Sequence, residues 1–207
     1  MTGPVADAYA ARAAEYAERL GTLDAVHPAD LALVTTWAHG ITGSVLDAGC
    51  GPGHWTALLA SRGLDARGVD LVPAFVAHAR AAHPRVPFEV GDLDALDAGD
   101  GALGGALAWY SLIHHAPDRI DVPLAELARV VRPGGGLLVG AFAGPDGIAD
   151  AEPFDHAVTR AWRWSPDELA ARIDAAGFEV DEVHTRISTR QRPHLAIVAR
   201  RRTDARA

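Results

Sequence analysis

Short apolar runs alternate with amphipathic stretches along the middle of the chain. The apolar runs predict buried strands over residues 44–48, 66–70, 87–90, 105–110 and 136–143. Between them, apolar residues at helical spacing predict helices over residues 54–62, 73–82 and 121–131. Strands that alternate with helices in this way are typical of a parallel sheet covered on both faces.

The two flanks of this segment follow a different pattern. Helices are predicted over 7–20 and 28–39, ahead of the first strand. Behind the fifth strand we expect a long loop and then a helix, because Ser165-Pro166-Asp167-Glu168 combines a capping box with a first-turn proline. Strands over 178–187 and 194–200 follow, and the roughly six residues between them are too few for a helical crossover. We therefore predict that the last two strands are antiparallel neighbours.

Composition narrows the class of protein. The chain has 207 residues, of which 49% are apolar and 22% are charged, and these values are ordinary for a folded domain with a core. No apolar run approaches the ~20 residues that cross a bilayer, and the N-terminus lacks the pattern of a secretory signal. The single cysteine, Cys50, excludes an internal disulfide and argues against a cysteine-rich zinc site. We expect a cytoplasmic protein without a membrane partner.

Charge excludes several kinds of chemistry. The formal net charge is −8, and such a field repels phosphate backbones, so we do not expect nucleic acid as a partner. All 19 basic residues are arginine. Without lysine, a Schiff base and a P-loop lysine are both impossible.

A glycine-rich loop follows the first predicted strand. The segment VLDAGCGPG runs from a buried strand through Gly49, Gly51 and Gly53 into a helix. Glycines remove side chains where a ligand can lie against backbone N–H groups at a helix N-terminus, at the carboxyl edge of the sheet. A glycine-rich turn without a ligand is the alternative.

Two acids favour a nucleotide at this edge. Asp70 ends the second strand, where a carboxylate can accept both hydroxyls of a ribose, and Asp92 follows the third strand, where it can accept an adenine amino group beside Leu93. Either acid alone is typical of a solvated strand end. Together with the loop they occupy three successive strand ends. The NAD fingerprint would place its third glycine at His54, so its spacing fits badly.

The motifs VLDAGCGPG, GVD, GDLDAL, LAWYSLIHH and VVRPGGGLLVGAF closely resemble those of class I S-adenosylmethionine-dependent methyltransferases, in particular the bacterial small-molecule branch. The resemblance covers Ser44 to Ala143, and the ending AAGF with a final hairpin also fits. It implies a doubly wound Rossmann-like α/β fold whose seven-stranded sheet is mostly parallel, with the last strand antiparallel. We therefore expect a cofactor-binding core over 44–201, and we predict from the flanking residues an N-terminal helical lid over 1–43 and a tail over 202–207.

The resemblance also implies roles for individual residues. The loop from Gly49 to Gly53 approaches the methionine part of S-adenosylmethionine, and Asp47 supports that loop or reaches the amino group through water. The nucleoside part is assigned four residues: Asp70 for the ribose, Leu71 beside the adenine, and Asp92 with Leu93 for the adenine. The implied acceptor is a small molecule, as in the tailoring of a natural product.

Methyl transfer requires alignment of the reactants, and it requires a base only when the acceptor must lose a proton. Tyr110, at the end of the fourth strand, is a candidate for touching the cofactor or orienting the acceptor. His114, His115 and His156 are candidate bases, because imidazole titrates near neutral pH. The alternative for the His114–His115 pair is that one histidine caps the next helix and the other packs in the core. No helical His-x-x-x-His pair is present, and no metal site is expected.

The first helix has an unusual polar and aromatic face. Tyr9, Arg12 and Tyr16 lie at helical spacing, and we expect them to close over the cofactor carboxylate and the acceptor; a partly exposed helix face is the alternative. Trp162 and Trp164 either line an apolar pocket or hold the long loop down.

Two other functions remain open: a nicotinamide-dependent oxidoreductase, and a non-catalytic protein that binds S-adenosylmethionine.

Overall fold

The computed structural model describes residues 4–144, 148, 150–187 and 192–203. Its helices are α1 (Pro4–Ala10), α2 (Ala13–Leu20), α3 (Pro28–His39), α4 (His54–Ser61), α5 (Pro73–Ala82), α6 (Asp121–Val130) and α7 (Pro166–Ala175), with a short 3-10 helix at Leu23–Ala25. Its strands are β1 (Ser44–Ala48), β2 (Asp65–Asp70), β3 (Phe88–Val90), β4 (Leu103–Trp109), β5 (Val131–Ala143), β6 (Ala151–Asp155), β7 (Arg160–Trp164), β8 (Phe178–Arg186) and β9 (His194–Arg201).

The first five strands form a parallel sheet in the order β3-β2-β1-β4-β5. The last strand, β9, lies antiparallel to both β5 and β8, between which it is inserted. The predicted fold class and the predicted antiparallel pair are therefore confirmed. Within the described residues the sheet has nine strands, two more than the sequence pattern predicts.

The core lies on both faces of this sheet. Val45 and Leu46 are neighbours in β1 and point to opposite faces. One face carries α3 and α4, through a cluster that contains Val34, Trp37, Val45, Leu58 and Leu107. The other face carries α6 and α7, through a cluster that contains Leu46, Leu124, Leu127, Leu137 and Ile173. The expected lid over 1–43 includes α3, which packs on the sheet, whereas α1 and α2 lie over α5.

The two extra strands form a hairpin in the segment predicted as a long loop, so that prediction is wrong. β6 pairs antiparallel with β7, and β7 continues the sheet beside the end of β5 at Ala143. Across the hairpin, Glu152 accepts a hydrogen bond from Arg163 at 2.9 Å. Trp164 is 1% exposed and packs in the core, whereas the Trp162 side chain is half-buried. His156 thus lies in the turn of a hairpin.

The single helix predicted over 7–20 is broken into α1 and α2. The break falls at Arg12, whose backbone N–H donates to the carbonyl of Tyr9 at 3.0 Å. Tertiary contacts override the helix propensity of this alanine-rich stretch. The Arg12 guanidinium reaches the carbonyl of Ala157 in the β6–β7 turn, and both Tyr9 and Tyr16 contact the ring of Phe75.

The start of α7 and the C-terminal segment agree with the sequence prediction except in detail. α7 begins at Pro166 as predicted, but Glu168 accepts a hydrogen bond from Nε of Arg172 rather than completing a capping box. Of the predicted tail, residues 204–207 lie outside the described residues. Every helix in the described part of the chain is too short or too polar to span a bilayer.

Candidate active site

Two neighbouring cavities open at the carboxyl ends of β1, β2 and β4. The first cavity has a volume of about 130 Å³. Its wall contains Val5, Tyr9, Tyr16, Gly49, Gly51, Asp70, Leu71, Val72, Phe75, Asp92, Leu93, Trp109, Tyr110, Ser111, His114 and His115. Most of the residues predicted from the sequence for the cofactor are therefore brought together here. Gly53 and Asp47 support the loop from behind.

The glycine loop needs its glycines for different reasons. Gly49 has φ +81°, and a Cβ there would lie 2.2 Å from Cβ of Ser111. Gly51 has φ +51°, and among the described residues nothing lies within 4 Å of a Cβ built there, so its backbone is open to the first cavity. A Cβ on Gly53 would lie 2.8 Å from both Ala79 and Phe88. Gly49 and Gly53 thus permit close packing, whereas Gly51 leaves room for a ligand.

Asp70 is fixed in the wall of the first cavity by two backbone groups. Its Oδ2 accepts the N–H of Gly51 and its Oδ1 accepts the N–H of Val72, both at 2.8 Å. Burial raises the pKa of Asp70, and these two hydrogen bonds oppose that shift. A carboxylate has about four lone-pair sites. Each Asp70 oxygen therefore retains the capacity to accept a hydroxyl donor.

Asp47 lies beneath the loop and is 1% exposed. Its Oδ2 accepts the hydroxyl of Thr56, in the first turn of α4, at 2.6 Å. Burial raises the pKa of Asp47 to about 7, although the Thr56 bond lowers it. Of the two roles expected for Asp47, this contact favours support of the loop and of the helix that follows it.

Asp92 and Leu93 form the wall beyond β3. Oδ1 of Asp92 accepts the N–H of Asp94 at 3.0 Å, and Asp92 forms an isolated bridge with Ala95. This tight turn presents Leu93, which is 8% exposed, to the first cavity. Leu71 lies in the same wall.

His114 and His115 turn in different directions. Nδ1 of His114 lies 2.7 Å from the carbonyl of Arg160, and its Nε2 lies 2.8 Å from the hydroxyl of Tyr9. Nε2 of His115 lies 3.0 Å from Oδ1 of Asp94. Burial lowers the pKa of both imidazoles, and Asp94 opposes the shift at His115. Both rings are therefore held by protein partners.

The second cavity is larger, at about 410 Å³. It shares six residues with the first cavity: Tyr9, Tyr16, Gly49, Gly51, Trp109 and Tyr110. The rest of its wall contains Ala25, Val26, His27, Asp30, Cys50, Pro52, His54, Trp55, Ile113, Phe142, His156, Arg186, Arg192 and His194. His156 lies in this wall, with its ring centroid 5.5 Å from that of His114, and burial lowers its pKa to about 4.

Three polar residues of the second cavity escape sequence reasoning. Asp30, Arg186 and His194 stand alone in the sequence, without a motif around them. They meet because β9 inserts beside β5 and pairs His194 with Phe142. Arg186 forms a bidentate ion pair with Asp30, and His194 contacts the hydroxyl of Tyr110.

Comparisons with known proteins agree with this geometry. Residues 45–135 match the family described as "Methyltransferase domain". A malonyl-[acyl-carrier protein] O-methyltransferase of Salmonella typhimurium is 30% identical over an alignment 201 positions long, gaps included, and the match covers 84% of this chain and 78% of that protein. This chain belongs to the S-adenosylmethionine-dependent methyltransferases. The resemblance noted in the sequence is thereby confirmed, and S-adenosylmethionine is the cofactor of that family.

Further relatives and solved structures extend the comparison. A probable S-adenosylmethionine-dependent methyltransferase of Mycolicibacterium smegmatis is 34% identical, over 70% of this chain and 56% of that protein. The chain spans about half the length of this and several other curated relatives.

Solved structures show the same fold. An S-adenosylmethionine-dependent methyltransferase of Methanosarcina mazei has a TM-score of 0.73 at 19% identity, covering 86% of this chain and 99% of that chain. A second structure is the Burkholderia thailandensis 1,6-didemethyltoxoflavin-N1-methyltransferase, solved with 1,6-didemethyltoxoflavin and S-adenosylhomocysteine. It has a TM-score of 0.70 at 24% identity, and the match covers 98% of this chain and 92% of that chain.

Proposed function

We propose that this methyltransferase binds S-adenosylmethionine in the first cavity and methylates a small molecule held in the second cavity. The observation that carries the proposal is the meeting of Gly51, Asp70 and Asp92, from three successive strand ends, in one wall. The two cavities are contiguous through Trp109 and Tyr110. A cofactor in one and an acceptor in the other would therefore be neighbours.

The residues of the first cavity match the chemical groups of the cofactor, which is larger than this cavity and in this proposal extends past Gly49 and Gly51 into the second cavity. Ser111 Oγ is buried in this wall without a hydrogen-bond partner among the described residues, and a buried polar atom of this kind calls for a ligand. In this proposal Asp70 holds the ribose hydroxyls. Leu71, Asp92 and Leu93 hold the adenine, and the backbone around Gly49 and Gly51 faces the methionine part.

The chemistry needs little from the protein beyond alignment. When bound, S-adenosylmethionine supplies an electrophilic methyl group and a sulfur leaving group. Tyr9 and Tyr16, from α1 and α2, cover the first cavity and exclude water, which strengthens the polar contacts inside. Tyr110, His114, His115 and His156 remain the predicted residues for the acceptor side. The net charge of −8 supports an acceptor other than nucleic acid, and the single cysteine supports a cytoplasmic location.

Thermal unfolding with and without cofactor tests the proposal. A ligand at about 100 times its Kd adds about 2.7 kcal/mol to the stability of the native state. For a chain of this size the melting temperature then rises by roughly 5–10 °C. We expect this shift with S-adenosylmethionine and with S-adenosylhomocysteine. A shift with NADH alone would favour the oxidoreductase, and cofactor binding without transfer to any acceptor would favour a non-catalytic binding protein.

A further inference from the structure

A chain of polar side chains lies behind Tyr110, on the side away from the cofactor residues. The Tyr110 hydroxyl lies 2.5 Å from Nδ1 of His194. Nε2 of His194 faces Oδ1 of Asp30 at 3.6 Å, which is longer than a hydrogen bond, and Nε2 has no hydrogen-bond partner among the described residues. Arg186 holds both carboxylate oxygens of Asp30. The four residues come from α3, β8, β9 and the end of β4. The fold brings them together although they are far apart in the sequence.

The positions of the protons on Tyr110 and His194 follow from the chemistry of each group. Burial raises the pKa of Tyr110, so its hydroxyl keeps its proton and donates. Nδ1 of His194 is then the acceptor, and the proton of the neutral ring is on Nε2, facing the Asp30 carboxylate. Burial lowers the pKa of His194 to about 4, against the attraction of Asp30 and with the repulsion of Arg186, His27 and His184. His194 is therefore a neutral imidazole at pH 7.

The position of Tyr110 indicates what this row of four polar side chains does. Among the described residues, Tyr110 is the one non-glycine residue with a left-handed φ, at +57°. Such backbone is strained for a residue with a side chain and is concentrated at functional sites. Tyr110 lines both cavities, so this residue lies where the proposed cofactor and acceptor sites meet.

We propose that Tyr110 and His194 together take the proton of a phenolic hydroxyl acceptor, and that Asp30 and Arg186 position His194 for this step. The inference rests on the proposed function and names its substrate class. A hydroxyl is a poor nucleophile until it loses its proton, which is why a relay of this kind is needed. The rings of Trp109 and Phe142 line the second cavity and provide apolar walls for a planar aromatic acceptor.

The step balances in atoms and charge. The acceptor oxygen forms a bond to the methyl carbon, and the carbon–sulfur bond leaves its electron pair on sulfur. The acceptor proton passes to the Tyr110 oxygen while the Tyr110 proton passes to Nδ1 of His194. The resulting imidazolium has its Nε2 proton facing Oδ1 of Asp30 at 3.6 Å, and the carboxylate attracts this charge although Arg186 pairs with the same carboxylate. The proton then leaves to solvent with the product.

The second tyrosine–histidine pair is less suited to this role. Tyr9 and His114 form a similar contact, but Nδ1 of His114 is backed by the carbonyl of Arg160. His114 lies in the wall of the first cavity, whereas His194 lies in the wall of the second cavity, where the acceptor is proposed to bind. This location favours the Tyr110–His194 pair.

The test compares Tyr110→Phe, His194→Gln and Asp30→Asn with matched controls at exposed positions, His39→Gln and Asp118→Asn. S-adenosylhomocysteine affinity, measured by calorimetry, should change by less than about threefold in every variant. Failure of the parent to bind would contradict the proposed function itself. Methyl transfer is then measured with two probes at about pH 8: phenol, which keeps its proton, and 4-nitrophenol, which is largely ionised.

We expect Tyr110→Phe and His194→Gln to slow methylation of phenol by roughly 10²–10⁴-fold, and to slow methylation of 4-nitrophenol far less, because that probe needs no base. Asp30→Asn should show the same pattern with a smaller loss. Equal losses on both probes would mean that Tyr110 and His194 act structurally, and would overturn the proposal. Binding of cofactor without methylation of either phenol would also overturn it.

A measurement independent of turnover adds a second criterion. Nitrogen NMR of the imidazoles, with His194 assigned by comparison with His194→Gln, reports which ring nitrogen carries the proton. We expect a neutral ring protonated on Nε2 at pH 7, with an Nδ1 resonance that shifts in Tyr110→Phe. A ring protonated on Nδ1 could not accept the Tyr110 proton and would contradict the relay.

Discussion

The Tyr9 hydroxyl donates to Nε2 of His114 at 2.8 Å and so joins α1 to the loop after β4. The direction of this bond follows from the other ring nitrogen. Nδ1 faces the carbonyl of Arg160, and a carbonyl only accepts, so Nδ1 carries the proton of the neutral ring. Helix α1 is thus tied to the wall of the first cavity by a hydrogen bond whose donor and acceptor are both fixed.

Tyr9→Phe should therefore destabilise the protein. The change leaves Nε2 of His114 buried without its donor, which costs about 1–2 kcal/mol and lowers the melting temperature by roughly 2–8 °C. In a His114→Leu background the same change should cost much less, because the acceptor is already gone. Equal costs in the two backgrounds would show that Tyr9 contributes through packing alone.

Sequence patterns predict the part of this fold in which each element is specified locally. β1, β2, β4 and β5 are largely buried runs, and the glycine loop follows β1, Asp70 ends β2 and Asp92 follows β3. Because parallel strands end at one edge, the sequence alone is enough to predict that Gly51, Asp70 and Asp92 share one crevice. All three line the first cavity.

The features that escape prediction depend on distant contacts. The break at Arg12 depends on the carbonyl of Ala157 in the β6–β7 turn, and alanine-rich sequence alone favours a continuous helix. The β6–β7 hairpin depends on pairing with the end of β5. His194 acquires its neighbours only through the antiparallel insertion of β9. In each case the deciding partner lies far away along the chain.

Gly51 and Gly43 form a matched pair for testing the glycine loop. Both have a left-handed φ, +51° and +86°, and among the described residues nothing lies within 4 Å of a Cβ built on either. Alanine at each position should cost a similar amount of backbone strain, about 1 kcal/mol. Only Gly51→Ala places a methyl group at the first cavity, so it alone should weaken binding of S-adenosylhomocysteine, as measured by calorimetry. Equal affinity in the two variants would separate Gly51 from the cofactor.

Asp47 makes the stability of the cofactor-free protein depend on pH. Its pKa is raised from 3.8 to about 7 by burial, so the folded state binds its proton more tightly than the unfolded state does. The stability that Asp47 contributes below about pH 4 is therefore lost progressively as the pH rises to about 7. Replacing the carboxyl with an amide removes this dependence and keeps an oxygen for Thr56.

Asp47→Asn should accordingly melt above the parent at about pH 8, and the difference should shrink towards pH 5. Thermal melts over this range, with Asp118→Asn as the exposed control, provide the measurement. A variant that is less stable than the parent by the same amount at every pH would show that Asp47 is ionised throughout.

Substitution of Asp70 tests the cofactor site directly. The same carboxylate also holds the glycine loop, so its two roles must be separated. Asp70→Asn removes the charge and leaves one acceptor oxygen for two backbone N–H groups, those of Gly51 and Val72. If the lost oxygen also accepts a ribose hydroxyl, S-adenosylhomocysteine should bind about 10–100-fold more weakly, which corresponds to roughly 1.5–3 kcal/mol. Asp118→Asn should bind like the parent.

A ligand that lacks the ribose hydroxyls separates the two roles of Asp70. Removal of the hydroxyls should weaken binding to the parent protein, because the Asp70 carboxylate loses its donors. In Asp70→Asn the same removal should cost much less, since the acceptor that recognised them has already been weakened. Calorimetric titration of both proteins with S-adenosylhomocysteine and its 2′,3′-dideoxy analogue completes the cycle. If the hydroxyls are worth the same in both proteins, Asp70 acts only on the loop and the ribose is held by other residues.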